Sequence, residues 1–136
     1  MKIVIDSYAW IEHFLGSEKG RKVDEVLENA DEIYTPDIVL AEIARKYLRE
    51  GVQTRIVNSR LEEITEASTI ICIDSKLALA ASECYSKMAE YARKCQLSRP
   101  SLFDALVLAT AKSLEAKVVT GDQHFKDMPE TIWLEQ

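Results

Sequence analysis

Lys2-Ile3-Val4-Ile5-Asp6-Ser7 sets an unbroken apolar triplet directly before an acid and a helix-favouring serine. The triplet does not alternate, so it reads as a strand covered on both faces, the habit of a parallel sheet held between helices. Asp6-Ser7 then opens a helix through about Leu15, with the Asp6 carboxylate able to accept from the helix's first free N–H groups. Strand, acid and helix, in that order, form the unit against which the rest of the chain is read.

Working outward, a more polar helix spans about Arg21 to Asn29, and Ile33-Tyr34 is a brief strand ending at Thr35-Pro36-Asp37. That trio predicts a helix start: Thr can cap, Pro is tolerated in the first turn, and Asp complements the positive end of the helix dipole. Glu42 then falls on the second turn. A helix over about Gln53 to Glu66 precedes a second buried run, Ile70 to Ile73. Leu77, Ala80, Ala81, Cys84, Met88, Ala92 and Cys95 recur at helical spacing beyond it. Ser98-Arg99-Pro100-Ser101 interrupts that helix and begins another, from about Leu102 to Leu114, with Asp104 in its first turn. Val118-Val119-Thr120 is a strand, Gly121-Asp122 a turn, and Thr131 to Leu134 the last strand. Strands separated by helices predict an α/β fold of three layers, with a mainly parallel central sheet of about four to five strands and right-handed crossovers. Ligands in such sheets bind beyond the carboxyl ends of the strands, where Asp6 and Asp122 both fall.

The chain has 136 residues, 47% hydrophobic and 29% charged, with no linker-like stretch, which predicts a single domain over residues 1–136. No segment approaches the roughly 18 to 20 uninterrupted apolar residues of a membrane span, so a soluble, cytoplasmic protein is expected. Cys72, Cys84 and Cys95 lack C-x-x-C spacing and lie in apolar runs, which predicts small core residues in a reducing compartment. The net charge of −6 opposes simple electrostatic binding of a polyanion, although two divalent ions held by acids would bring it to −2.

Each notable acid has an ordinary explanation. Asp6 is a good N-cap, and Asp74-Ser75 repeats the same strand, Asp-Ser, helix arrangement without further distinction. Glu42 precedes Lys46 by four residues, an order that contributes about 0.2 to 0.5 kcal/mol on a solvated helix. Ser101-Leu102-Phe103-Asp104 matches a capping box, and Asp122 sits in a Gly-Asp turn. Together the case differs, because four acids from separate elements can end on one edge of the sheet. Crowded carboxylates repel one another, and hard divalent cations such as Mg2+ and Mn2+ prefer such oxygen donors.

The segments Ile3-Val4-Ile5-Asp6-Ser7, Leu40-Ala41-Glu42-Ile43, Leu102-Phe103-Asp104-Ala105 and Val118-Val119-Thr120-Gly121-Asp122-Gln123-His124-Phe125 resemble the PIN-domain family. The compact form most resembles the toxin ribonucleases of prokaryotic VapBC toxin–antitoxin pairs. That resemblance implies a PIN-like fold in which Asp6, Glu42 and Asp104 correspond to the acidic triad and Asp122 to the fourth acid. It implies that these four are catalytic and hold one or two Mg2+ or Mn2+ ions, with Glu42 ligating directly, through water, or orienting the nucleophile. Ser7 and Thr120 correspond to supporting hydroxyl residues. The implied activity is endoribonuclease cleavage of single-stranded or looped RNA, with an antitoxin protein as partner and a homodimer as assembly.

Arg45, Lys46, Arg49, Arg93, Lys94 and Arg99 are candidates for an RNA-contacting rim, set against their ordinary role as a solvated helix surface. Tyr8, Trp10 and Phe14 have the spacing of core residues more than of base-stacking ones. His13 and His124 make no zinc motif, although His124 follows Asp122 closely enough to lie near the cleft. A dehalogenase-like phosphatase would need a second Asp where Tyr8 stands, and neither glycine-rich nucleotide motif occurs. The alternatives are a non-catalytic PIN module that binds RNA or protein, and an RNA-processing nuclease that is not a toxin.

Overall fold

The computed structural model describes residues 1–135. Its strands are β1 (Lys2–Ile5), β2 (Glu32–Pro36), β3 (Thr69–Ile71), β4 (Lys117–Thr120) and β5 (Thr131–Trp133). Its helices are α1 (Ser7–Leu15), α2 (Glu18–Asn29), α3 (Asp37–Arg49), α4 (Thr54–Ala67), α5 (Ser75–Lys94) and α6 (Leu102–Leu114), and a single 3₁₀ turn covers Gln123–Phe125. The strands form one sheet, ordered β3-β2-β1-β4-β5, with every neighbouring pair parallel. The chain therefore has the α/β fold, a parallel central sheet between layers of helices, expected from its alternating elements.

Strand order decides where a site can form. From β1 the chain moves outward to β2 and β3, then crosses back to β4 on the other side of β1. With right-handed crossovers, α1 to α4 cover one face and α5 and α6 the other. The order reverses between β1 and β4, which opens a crevice at their carboxyl ends. Ile3, Val4, Ile5, Val118 and Val119 are completely buried, as strands covered on both faces require.

The two layers differ in texture. Ala105 to Ala111 are all buried, so the middle of α6 is enclosed on every side, and its many small residues let it lie close to α5 and the sheet. On the opposite face, Trp10 is buried and its indole N–H donates to the Thr35 hydroxyl at 3.1 Å. Phe14 stacks beside Trp10 and packs against the core.

Several local expectations give way to tertiary structure. Thr35 does not cap α3; it lies in β2 and its hydroxyl serves Trp10 and Ser68 instead. Helix α2 begins at Glu18, three residues before Arg21, because Ser17 caps it by accepting the Gly20 N–H at 3.0 Å. The run from Ile70 to Ile73 supplies a strand only through Ile71, since β3 is an edge strand and the chain turns away to start α5 at Ser75. Of the cysteines only Cys84 is buried; Cys72 and Cys95 are exposed, one leaving β3 and the other ending α5. Among the described residues no helix is long and apolar enough to cross a membrane.

Gly20 marks the tightest helix contact. A Cβ there would stand 2.1 Å from the Glu12 carbonyl oxygen, so α2 crosses α1 backbone to backbone. Helix propensity alone favours Ala over Gly by about 1 kcal/mol, whereas the clash costs about 1 to 3 kcal/mol. Gly20→Ala is expected to lower stability in urea unfolding, and a gain would show that the helices part easily.

Candidate functional site

The four acids reach the carboxyl edge of the sheet by different local routes. Asp6 is the residue after β1 and caps α1, its Oδ1 accepting the Ala9 N–H at 2.9 Å, and it is only 5% exposed. Thr120, buried at the end of β4, accepts the Asp122 N–H at 3.0 Å, and its hydroxyl lies near enough to the Asp6 carboxylate to favour its charged form. One hydroxyl thus stands between the acids that follow β1 and β4. Helix α6 runs back toward the start of β4, so its N-terminus lies on the same edge and carries Asp104. There Ser101 Oγ accepts the Asp104 N–H at 3.1 Å, and Asp104 Oδ2 accepts the Ser101 N–H at 3.0 Å. Glu42 lies deeper, on the second turn of α3, but helix Cα–Cβ bonds tilt toward the N-terminus and carry its carboxylate back toward the edge.

These groups affect one another's protonation. Burial pushes Asp6 up to about 7, with the Asp122 and Asp104 charges adding to it and the Thr120 and Ala9 bonds opposing it. Burial also raises Glu42 to about 7, followed by repulsion from Asp104 and Asp122. Asp104 is raised by burial first, against its bonds to Ser101 and with Asp122 contributing.

His124 supplies a local positive charge. Its Nδ1 meets Asp122 Oδ1 at 2.7 Å and its Nε2 meets the Ser98 carbonyl at 2.8 Å. A carbonyl and a carboxylate oxygen accept, so both ring nitrogens donate and the ring is an imidazolium. Burial acts to lower its pKa, but the bonds to Ser98 and Asp122 outweigh that and raise it. Its backbone N–H also donates to Asp122 Oδ1, at 2.9 Å. The sequence placed His124 near the cleft without showing this double engagement, for which an Asx turn two residues long was the local signal.

The donor set suits a hard divalent cation. Among the described residues, Asp104, Asp122 and His124 offer ligand atoms that all lie within 4.8 Å of one another. His124 already uses both nitrogens, whereas Asp104 Oδ1 and Asp122 Oδ2 have no hydrogen-bond partner among the described residues. Free carboxylate oxygens beside a buried, protonation-prone Asp6 match the oxygen preference of Mg2+ or Mn2+.

Two open depressions flank these acids. One, of about 510 Å³, is lined by Ile38, Ala41, Glu42, Arg45, Lys46, Arg49, Ser101 and Phe103. The other, of about 490 Å³, includes Ser7, Tyr8, Tyr47, Lys46 and Asp122. The rim candidates therefore separate: Arg45, Lys46 and Arg49 stand beside Glu42, while the exposed Arg93 and Arg99 do not line that depression. Lys46 pairs with Glu50 at 2.9 Å rather than with Glu42. Tyr8 is occupied as well: its ring lies where a Cβ on Gly121 would sit, 2.4 Å from Cε1, and its hydroxyl donates to Glu135 at 2.5 Å. Only glycine admits that ring against the Thr120-Gly121-Asp122 turn. Asp74 remains outside the cluster, capping α5 by accepting the Leu77 N–H at 2.8 Å.

Comparison with known proteins follows the same outline. A family model described as PIN domain matches residues 3–131. No curated protein matches the sequence significantly. Among solved structures, DNA-bound VapBC from Salmonella typhimurium is similar with a TM-score of 0.75 at 15% identity, covering 99% of each chain. VapC20 of Mycobacterium tuberculosis, described as a sarcin-ricin loop cleaving toxin, is similar with a TM-score of 0.72 at 15% identity, over 93% of this chain and 95% of that one. A toxin–antitoxin complex from Klebsiella pneumoniae gives 0.71 at 18% identity over 98% of each chain.

Proposed function

Because this chain belongs to the PIN-domain family, we propose that it is a metal-dependent endoribonuclease cutting single-stranded or looped RNA, and the toxin of a VapBC-type toxin–antitoxin pair. The observation that carries the reading is that Asp104 and Asp122 come close enough to share a cation at the crevice where strand order reverses, with Asp6 and Glu42 near enough to feel their charge. Without a counter-charge such a cluster is costly, and the fold maintains it with a buried hydroxyl and two backbone caps.

Asp6, Asp104 and Asp122 would hold one or two Mg2+ or Mn2+ ions. Such an ion, when bound, polarises the scissile phosphate and lowers the pKa of water. Thr120 stands between Asp6 and Asp122, Ser101 fixes Asp104, and Ser7 stands beside Asp122 on the rim. Glu42, raised to about 7, is matched to taking the attacking water's proton near neutral pH. Attack in line then breaks the P–O3′ bond, leaving a 5′-phosphate and a 3′-hydroxyl. Arg45, Lys46 and Arg49 offset the cluster's repulsion of RNA, with Arg93 and Arg99 contributing more remotely. Likeness to toxin–antitoxin complexes supports an antitoxin partner; a homodimer, a single domain over residues 1–136 and a cytoplasmic location are proposed with it.

The test is incubation of purified protein with single-stranded RNA in Mn2+, in Mg2+ and in chelator. Cleavage is expected in at least one metal and none in chelator, with 5′-phosphate ends. Undiminished cleavage in chelator would exclude metal dependence, and binding without cutting in either metal would make the chain a non-catalytic module.

A further inference from the structure

We propose that Phe103 is a base-stacking platform that seats one unstacked nucleobase of a single-stranded RNA beside the acidic cluster. This rests on the ribonuclease reading above and adds where the substrate is gripped. Phe103 immediately precedes Asp104 and remains 39% exposed, although Ala105 to Ala111, directly after Asp104, are all buried. A ring with more than a third of its surface open, at the exposed start of the helix and next to an acid, leaves a flat apolar face available to a ligand. It lines the same depression as Glu42, with Ile38 and Ala41 on the facing helix, so the ring forms one wall of a partly apolar slot beside the acids.

Charge identifies the occupant. Arg45 and Arg49, one turn apart on α3, line this depression, and neither has an ion-pair partner among the described residues. Unpaired guanidinium groups next to a ring and a carboxylate cluster fit a ligand with an anionic backbone and flat apolar faces. A single-stranded nucleic acid has both, and base–aromatic stacking of this kind is tolerant of sequence. The aromatic residues of α1 do not serve, since Trp10 is buried, Phe14 stacks beside it against the core and Tyr8 is held against Gly121.

The experiment uses short fluorescent RNA strands, intact or carrying one abasic ribose at successive positions. Binding is measured by anisotropy with protein silenced by Asp104→Asn, and cleavage with the active protein. Phe103→Leu is expected to weaken binding of intact RNA about tenfold, and to raise KM by a similar factor with kcat unchanged. Phe103→Tyr should restore both. One abasic position should reproduce the loss and make Phe103→Leu silent on that strand. Equal affinity of the Leu variant, or an equal penalty on every abasic strand, overturns the platform, as does unchanged RNA affinity with lost antitoxin binding. Metal-dependent cutting indifferent to Phe103 removes the platform alone; the stacking signature in a protein that never cuts removes the nuclease reading alone.

Discussion

Asp104→Asn is expected to reduce RNA cleavage by about a thousandfold or more, the equivalent of several kcal/mol of transition-state stabilisation, while leaving the fold intact. The substitution separates two duties of one side chain. Asn retains an oxygen that can accept the Ser101 N–H, so the capping box at the start of α6 survives. What it removes is the negative charge beside Asp122 and the free carboxylate oxygen offered to a cation. An acid retained only for structure would lose stability when neutralised, whereas one held against repulsion should lose none in ion-free buffer. Asp74→Asn is the internal control, because Asp74 caps α5 with the geometry by which Asp6 caps α1, yet stands away from the cluster. It should cleave RNA at the normal rate. Equal losses in both variants would reduce the site to helix capping.

The second large effect is on stability, and it depends on pH. Asp6 is raised from 3.8 to about 7 and Glu42 from 4.5 to about 7, so the fold favours their protonated forms. That contribution is complete below the unfolded values near 4 and disappears as pH rises through 7. His124 acts in the same direction, since its raised pKa stabilises the fold only while the ring is charged. For Asp6 the shift corresponds to roughly 4 kcal/mol, most of it lost between pH 4 and 7. In chelator, Tm should fall by about 10 °C between pH 5 and pH 8. Mn2+ should reverse the trend, because a cation binds the deprotonated carboxylates and stabilises most at pH 8. A Tm indifferent to pH in chelator, with equal Mn2+ stabilisation at both pH values, would contradict this electrostatic account.

The parts of the fold legible in the sequence were those set by local chemistry. Ile3 to Ile5 and Val118 to Thr120 announced doubly covered strands, and Ser101 with Asp104 announced a helix start that the structure places within the expected bounds. Thr35 was misread because its hydroxyl is claimed by Trp10 from a distant helix, a contact that no local pattern encodes. Cys72 and Cys95 were misread for a related reason: apolar neighbours do not bury a residue that leaves an edge strand or ends a helix. In the candidate site, the four acids were visible by type and order. Glu42's approach to Asp104, Thr120's place between Asp6 and Asp122, and Phe103's exposed ring depend on how α3, α6 and β4 meet, and each needed the assembled sheet.

The central claim, that these acids form a cation site, is tested most directly by anomalous diffraction at the manganese edge from crystals soaked in Mn2+ near pH 8. The account predicts a peak among the carboxylates of Asp6, Asp104 and Asp122, absent from Asp104→Asn crystals treated alike. A map with no peak there at saturating Mn2+, or with manganese bound only elsewhere, would contradict it.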